Sequence, residues 1–118
     1  MFDPRPRVAH FVVHTVDGQT VDYREIWQHH QLLLLCLGDG DTGARTTAAA
    51  VALTTRADAL AAVDTRLVVT HDEVPGAPRP GALVADRWGE IYATLDDAAV
   101  TDADDLIDWM RVVQSRCG

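Results

Sequence analysis

The run LLLLCLGDGDTGA, Leu32 to Ala44, constrains the fold more than any other stretch of the chain. Leu32 to Leu37 are continuously apolar, and they stop abruptly at glycine and aspartate. A short apolar run bounded by turn residues suits a central strand covered on both faces. The segment that follows is rich in alanine and leucine, which favours helix. Strand, loop and helix therefore succeed one another, and in α/β architectures the loop after such a strand commonly carries the chemistry. Here the loop holds Asp39, Asp41 and Thr42 among Gly38, Gly40 and Gly43, with no cysteine, histidine or lysine.

The rest of the chain supplies the partners this strand requires. Val8 to Thr15 alternates around Phe11 and Val13, Asp17-Gly18 suits a tight turn, and Gln19 to Val21 returns as a second strand. Asp22 with Glu25 three residues on has the form of a capping box, opening a short helix through Ile26 and Trp27. Thr46 to Val63 is expected to be helical, with Thr54-Thr55 as a point of interruption. Arg66 to Thr70 is a second buried strand. His71 to Pro80 carries Pro75, Gly76, Pro78 and Pro80 and is expected to be loop. Ala82 to Asp86 and Glu90 to Leu95 flank Arg87-Trp88-Gly89 as a hairpin. A last helix is expected with Thr101 as N-cap, Asp102, Asp104 and Asp105 near its positive end, and Arg111 and Arg116 near its negative end. Leu106, Met110, Val113 and Cys117, with Ile107 beside them, share one face at helical spacing.

The element order predicts an α/β fold with a mixed central sheet flanked by helices and an N-terminal β-hairpin. At 118 residues with 47% hydrophobic content, one domain over 1–118 is the expectation. No run approaches the ~18 apolar residues of a membrane span. The N-terminal MFDPRPRV lacks the apolar core of a signal peptide, so a cytoplasmic location is expected. Ten arginines against eighteen acids leave a net charge of -8, which repels phosphate backbones and acidic membranes. Nucleic acid and membrane are therefore not expected partners. The chain has neither lysine nor asparagine, as in proteins of GC-rich bacterial genomes. It thus has no side-chain amine for a Schiff base or a P-loop phosphate contact.

Three segments carry a family resemblance. HFVVHTVDGQTVDYREIW is similar to the opening hairpin of redoxins, the thioredoxin-fold group that includes peroxiredoxins and alkyl-hydroperoxide-reductase-like proteins. LLLLCL resembles their first central strand. RPGALVADRWGEIYATL resembles their proline, three residues, two hydrophobics, Asp-x-x-Gly-x-Ile segment, with Pro80 six residues before Asp86 and Gly89 in the turn. The resemblance runs from about Val8 to Val113 and implies a thioredoxin-like fold, with Pro80 at the position of the family's cis-proline. It also implies a peroxidatic cysteine, or a Cys-x-x-Cys pair, in the loop and first helical turn after the strand. There a helix N-terminus lowers a thiol pKa. Gly38 to Thr47 contains no cysteine, so the thiolate that peroxide reduction or disulfide exchange needs is missing.

The sequence therefore points to a redoxin-like module with a degenerate, cysteine-free loop, acting by interaction or regulation. A protein partner is expected, self-association is left open, and no cofactor or metal is expected. One alternative is a thiol oxidoreductase or peroxidase using Cys36 or Cys117. Against it, Cys36 lies inside the apolar strand and Cys117 at the chain's end, where buried or frayed thiols are the ordinary outcome. A second alternative is a small-ligand or nucleotide binder, because Gly38 to Gly43 matches G-x-G-x-x-G by letter and Asp72 stands where a ribose-binding acid could lie. Asp39 and Asp41 oppose it, since they would face a pyrophosphate. They also resemble the start of a calcium loop, but the third ligand and the distal glutamate are absent. The plain reading is a solvated turn whose carboxylates suit the following helix dipole.

His10 and His14 lie on one side of a strand, too far apart to share an ion. His29 and His30 end a short helix, and His71-Asp72-Glu73 is the one run of ligand types. Trp27 and Trp109 are expected in the core or half-buried, and Trp88 in its turn is a candidate binding anchor.

Overall fold

The computed structural model describes residues 5–117, and for Cys117 the backbone only. Leu32 to Leu35 and Cys36 are fully excluded from solvent in β3 (Gln31–Cys36), the strand on which everything else is hung. It pairs in parallel with β4 (Thr65–Thr70) and antiparallel with β5 (Gly81–Ala85), which pairs in turn with β6 (Ile91–Asp96). The order across the sheet is β4-β3-β5-β6. A separate hairpin, β1 (Val12–His14) with β2 (Thr20–Asp22), turns at Gly18, whose φ of 89° suits a residue without Cβ.

Because side chains alternate along a strand, β3 sorts the core into two halves. Leu33 and Leu35 face α1 (Ala44–Leu53), α2 (Ala57–Ala62) and α3 (Ala103–Cys117), meeting Leu53, Leu60, Leu106 and Met110. Leu32, Leu34 and Cys36 face the hairpin side, meeting Phe11, Val13, Val21, Tyr23 and Ile26. Each buried leucine contributes about 1.5–3 kcal/mol.

Several boundaries differ from expectation. The strand expected over Val8 to Thr15 is ordered as sheet only at Val12–His14. The Val8 N–H instead donates to the Gly89 carbonyl at 2.8 Å, and Arg7 bridges Glu90, so the chain leaves the hairpin to run beside the Asp86 turn. The short helix after Asp22 is a single 3₁₀ turn, Tyr23–Glu25, and the Asp22 carboxylate accepts from the Arg24 N–H. The long helix divides at Thr54-Thr55, whose hydroxyls donate to the carbonyls of Val51 and Ala52, a local competition with helical bonding. At α3 the cap is Asp102 rather than Thr101, because the Asp102 carboxylate reaches the Asp105 N–H at 2.9 Å. Trp27 and Trp109 are 43% and 37% exposed, so neither belongs to the core.

Gln31 is the one amide inside the helix-facing half of the core. Its Nε2 donates to the carbonyls of Val63 and Met110, both at 2.9 Å, tying the end of α2 and the middle of α3 to the start of β3. Removing a buried donor strands its acceptors. Gln31→Ala should therefore lower unfolding free energy by about 2–4 kcal/mol in urea titration. Gln31→Met, which keeps the volume but has no donor, should recover only the packing share.

Candidate functional site

The slot at the end of β3 is assembled from three chain segments. Cys36 closes the strand with Thr70 and Gly81 as its register neighbours. Above it the Gly38 to Gly43 loop turns back on itself. The Thr42 N–H and hydroxyl both reach the Asp39 carbonyl, at 3.0 and 2.6 Å, and a Cβ on Gly38 would collide with Thr42. Gly43 then begins α1 in the left-handed region, φ 80°. It lies against Pro80, whose peptide bond with Arg79 is cis. A Cβ added at Gly43 would fall 2.5 Å from the Pro80 Cβ. The residue facing the proline at the helix start is therefore one that can carry no side chain.

Gly43 and Thr46 stand three apart, the spacing of a Cys-x-x-C pair on a first helical turn. Thr46 is fully buried. Its N–H and hydroxyl donate to the same oxygen of Asp97, at 2.8 and 2.7 Å. Asp97 comes from the 3₁₀ turn Asp97–Ala99 after β6. The Thr46 N–H, then the Thr46 hydroxyl and the Arg45 N–H, hold its carboxyl below the ordinary range. Exposed helix N–H groups and the helix dipole favour an anion at this end, and the protein supplies its own. The carboxylates of Asp39 and Asp41, expected to serve the dipole, do not cap α1. Asp39 pairs with Arg79 at 2.8 Å across an exposed surface, and such pairs contribute about 0–1 kcal/mol. Asp41 is exposed.

This arrangement bears on each candidate. Cys36 is buried on the hairpin side of the sheet, opposite α1. Burial pushes its thiol up to about 11, with the Arg79 guanidinium offsetting part of the rise and Asp72 adding to it. A neutral, enclosed thiol is a poor nucleophile. The side chain of Cys117 lies outside the described residues. For the nucleotide reading, the helix N–H groups that would receive a pyrophosphate are occupied by Asp97. Asp72, the candidate ribose acid, accepts from the His14 N–H at 2.8 Å. For metal, no cluster of three His, Cys, Asp or Glu side chains forms among the described residues. His10 pairs with Asp22 and His30 with Asp64, each at 2.8 Å. In the His71-Asp72-Glu73 run, Asp72 is engaged by the His14 N–H.

No protein-family model matches the sequence, and no curated protein matches it. Among solved structures, the chain is similar to a candidate thiol:disulfide interchange protein DsbE from Chlorobium tepidum. The TM-score is 0.63 and the identity 12%, over 97% of this chain and 99% of that one. With the sheet order, the hairpin and the flanking helices, this likeness shows a thioredoxin-like fold.

Two substitutions test the slot. Gly43→Ala meets both a left-handed backbone and Pro80, and should cost about 1–3 kcal/mol in denaturant unfolding. Asp97 has a depressed folded pKa, so its stabilisation is complete above the unfolded value of about 3.8 and is lost as pH falls through the folded value. Asp97→Ala should lower the melting temperature at pH 7, and the deficit should shrink on acidification. A deficit independent of pH would show that the carboxylate charge does not hold the α1 N-terminus.

Proposed function

We propose that the chain is a non-catalytic, redoxin-like interaction module that binds a protein partner. The observation that carries this reading is Gly43 against Pro80, the thiolate position of the resembled family, filled by a residue with no side chain. Two further features support it. The one described cysteine is buried with a raised pKa, and Asp97 occupies the helix end that would otherwise favour a thiolate. A thiol:disulfide interchange activity, as in the description of the structural neighbour, would have to use Cys117 or expose Cys36.

The test is thiol-dependent turnover of peroxide and of a disulfide substrate by the wild-type chain and by Cys36→Ser, Cys117→Ser and the double variant. All four should match the uncatalysed rate, and Cys36 should react with a thiol-labelling reagent only after unfolding. Turnover abolished by either serine variant would overturn the non-catalytic reading and identify the working thiol.

A further inference from the structure

The outer face of α3 leaves apolar side chains open to solvent. Its inner face buries Leu106, Ile107, Met110 and Val113, whereas Trp109 and Val112 are 37% and 46% exposed. With Tyr92, Asp105 and Arg116 they line a groove of about 600 Å³ between the helix and β6. Asp105, Trp109, Val112 and Arg116 follow one another at intervals of four, three and four residues, the spacing of a single helical stripe. A further hollow of about 470 Å³ over α1 shares Thr101 and Asp105 with this groove, so the open face continues past the helix.

The charges along the stripe are separated by sign. Asp105 stands at its start and Arg116 at its end, eleven residues on and therefore about 16 Å away along the axis. At that separation they cannot pair with each other. The charges beside them are already matched: Asp104 with Arg56, Asp108 with Arg111, and Arg5 with Glu90 and the face of the Tyr92 ring. Among the described residues, Asp105 and Arg116 enter no ion pair. The midpoint between Asp105 and Arg116 is also the midpoint between Trp109 and Val112. A two-fold axis through that point brings opposite charges together at both ends and apolar side chains together at the centre. A parallel neighbour would set like charge against like.

We propose that α3 pairs antiparallel with α3 of a second copy of this chain, across a two-fold axis. Asp105 of one copy faces Arg116 of the other at each end, and Trp109 of one packs on Val112 of the other between them. The interface is isologous, so each complementary pair occurs twice. A net charge of -8 opposes the approach of two copies in general, which leaves a locally matched face as the favourable route. A stable dimer buries about 800 Å² per partner. One helix stripe supplies part of that, and the groove at Tyr92 and the hollow over α1 supply adjoining surface. A foreign partner would have to reproduce this order of charges, whereas a second copy carries it already. The inference goes beyond the interaction reading, because the stripe shares no residue with the Gly43–Pro80 slot.

Sedimentation of the chain in reducing buffer tests the pairing. The wild type should dimerise with a dissociation constant of about 10 µM. Asp105→Arg and Arg116→Asp each bring like charges together at both ends, and each should weaken association about tenfold. An equimolar mixture of these two variants should associate as tightly as the wild type, because the mixed dimer again has opposite charges at both ends. Trp109→Ala should weaken association about thirtyfold. Should a charge reversal lower the melting temperature, Asp105→Asn and Arg116→Gln take its place, each weakening association about threefold. The proposal is overturned by a wild-type chain that stays monomeric at about 1 mM, by a dimer that keeps its affinity in Trp109→Ala or in the charge variants, or by a mixture of folded reversals no tighter than its components.

Discussion

Burial of β3 on both faces is the constraint from which the remaining structure follows. A strand with no exposed side chain can exist only in the middle of a sheet with a layer on each side. The helices take the face of Leu33 and Leu35, and the hairpin takes the face of Leu32, Leu34 and Cys36. The two-residue period leaves no freedom in this sorting, because a one-residue slip would exchange the faces. It also fixes the fate of the thiol. Cys36 shares parity with Leu32 and Leu34, so it points away from α1 and into the hairpin cluster. No adjustment of the loop above it can bring that sulfur to the helix N-terminus. The distance between cysteine and helix dipole is a consequence of strand geometry rather than of local packing.

The N-terminus of α1 shows the complementary effect. With glycine at its cap and no side-chain bond from Gly43, the first turn would begin with unsatisfied N–H groups. Asp97 closes it from 51 residues away, which joins the end of β6 to the start of α1. Thr46 adds its hydroxyl from inside the helix, so one carboxylate oxygen is held by two donors. The same pair anchors the 3₁₀ turn that leads into α3. The Asp97 carboxylate thus fastens the helix layer to the end of the sheet.

Much of this architecture could be read from local pattern. The continuous run of β3, the Asp17-Gly18 turn, the break at Thr54-Thr55 and the Asp86–Gly89 hairpin all express short-range propensity, and each lies within a residue or two of its expected place. The α3 cap shifted by one residue because Thr101 and Asp102 are both competent caps, and only the tertiary position of the helix chooses between them. Val8 left the sheet because its N–H finds Gly89, 81 residues away. The slot was legible as an address, through the glycines and Pro80, but its closing contacts were not. Asp97 with Thr46, and Gly43 with Pro80, join residues whose identities carry no mutual signal in one sequence. The burial of Tyr23 is likewise invisible there, because the turn Tyr23–Glu25 carries two charged residues and reads as surface.

The end of β3 and the Asp86–Gly89 turn are both held by side-chain carboxylates. At the slot, the helix N–H groups meet Asp97, Asp39 meets Arg79, and the hydroxyl of Thr42 meets the Asp39 carbonyl. A ligand entering there must first break existing bonds. On the hairpin side, the turn is held from beneath by the Asp86 carboxylate, which accepts from the N–H groups of Trp88 and Glu90, both at 2.9 Å. That bonding fixes the Trp88 backbone in its turn. Phe11 stacks on Tyr23 with ring centroids 5.2 Å apart, which packs the phenol into the hairpin-side core.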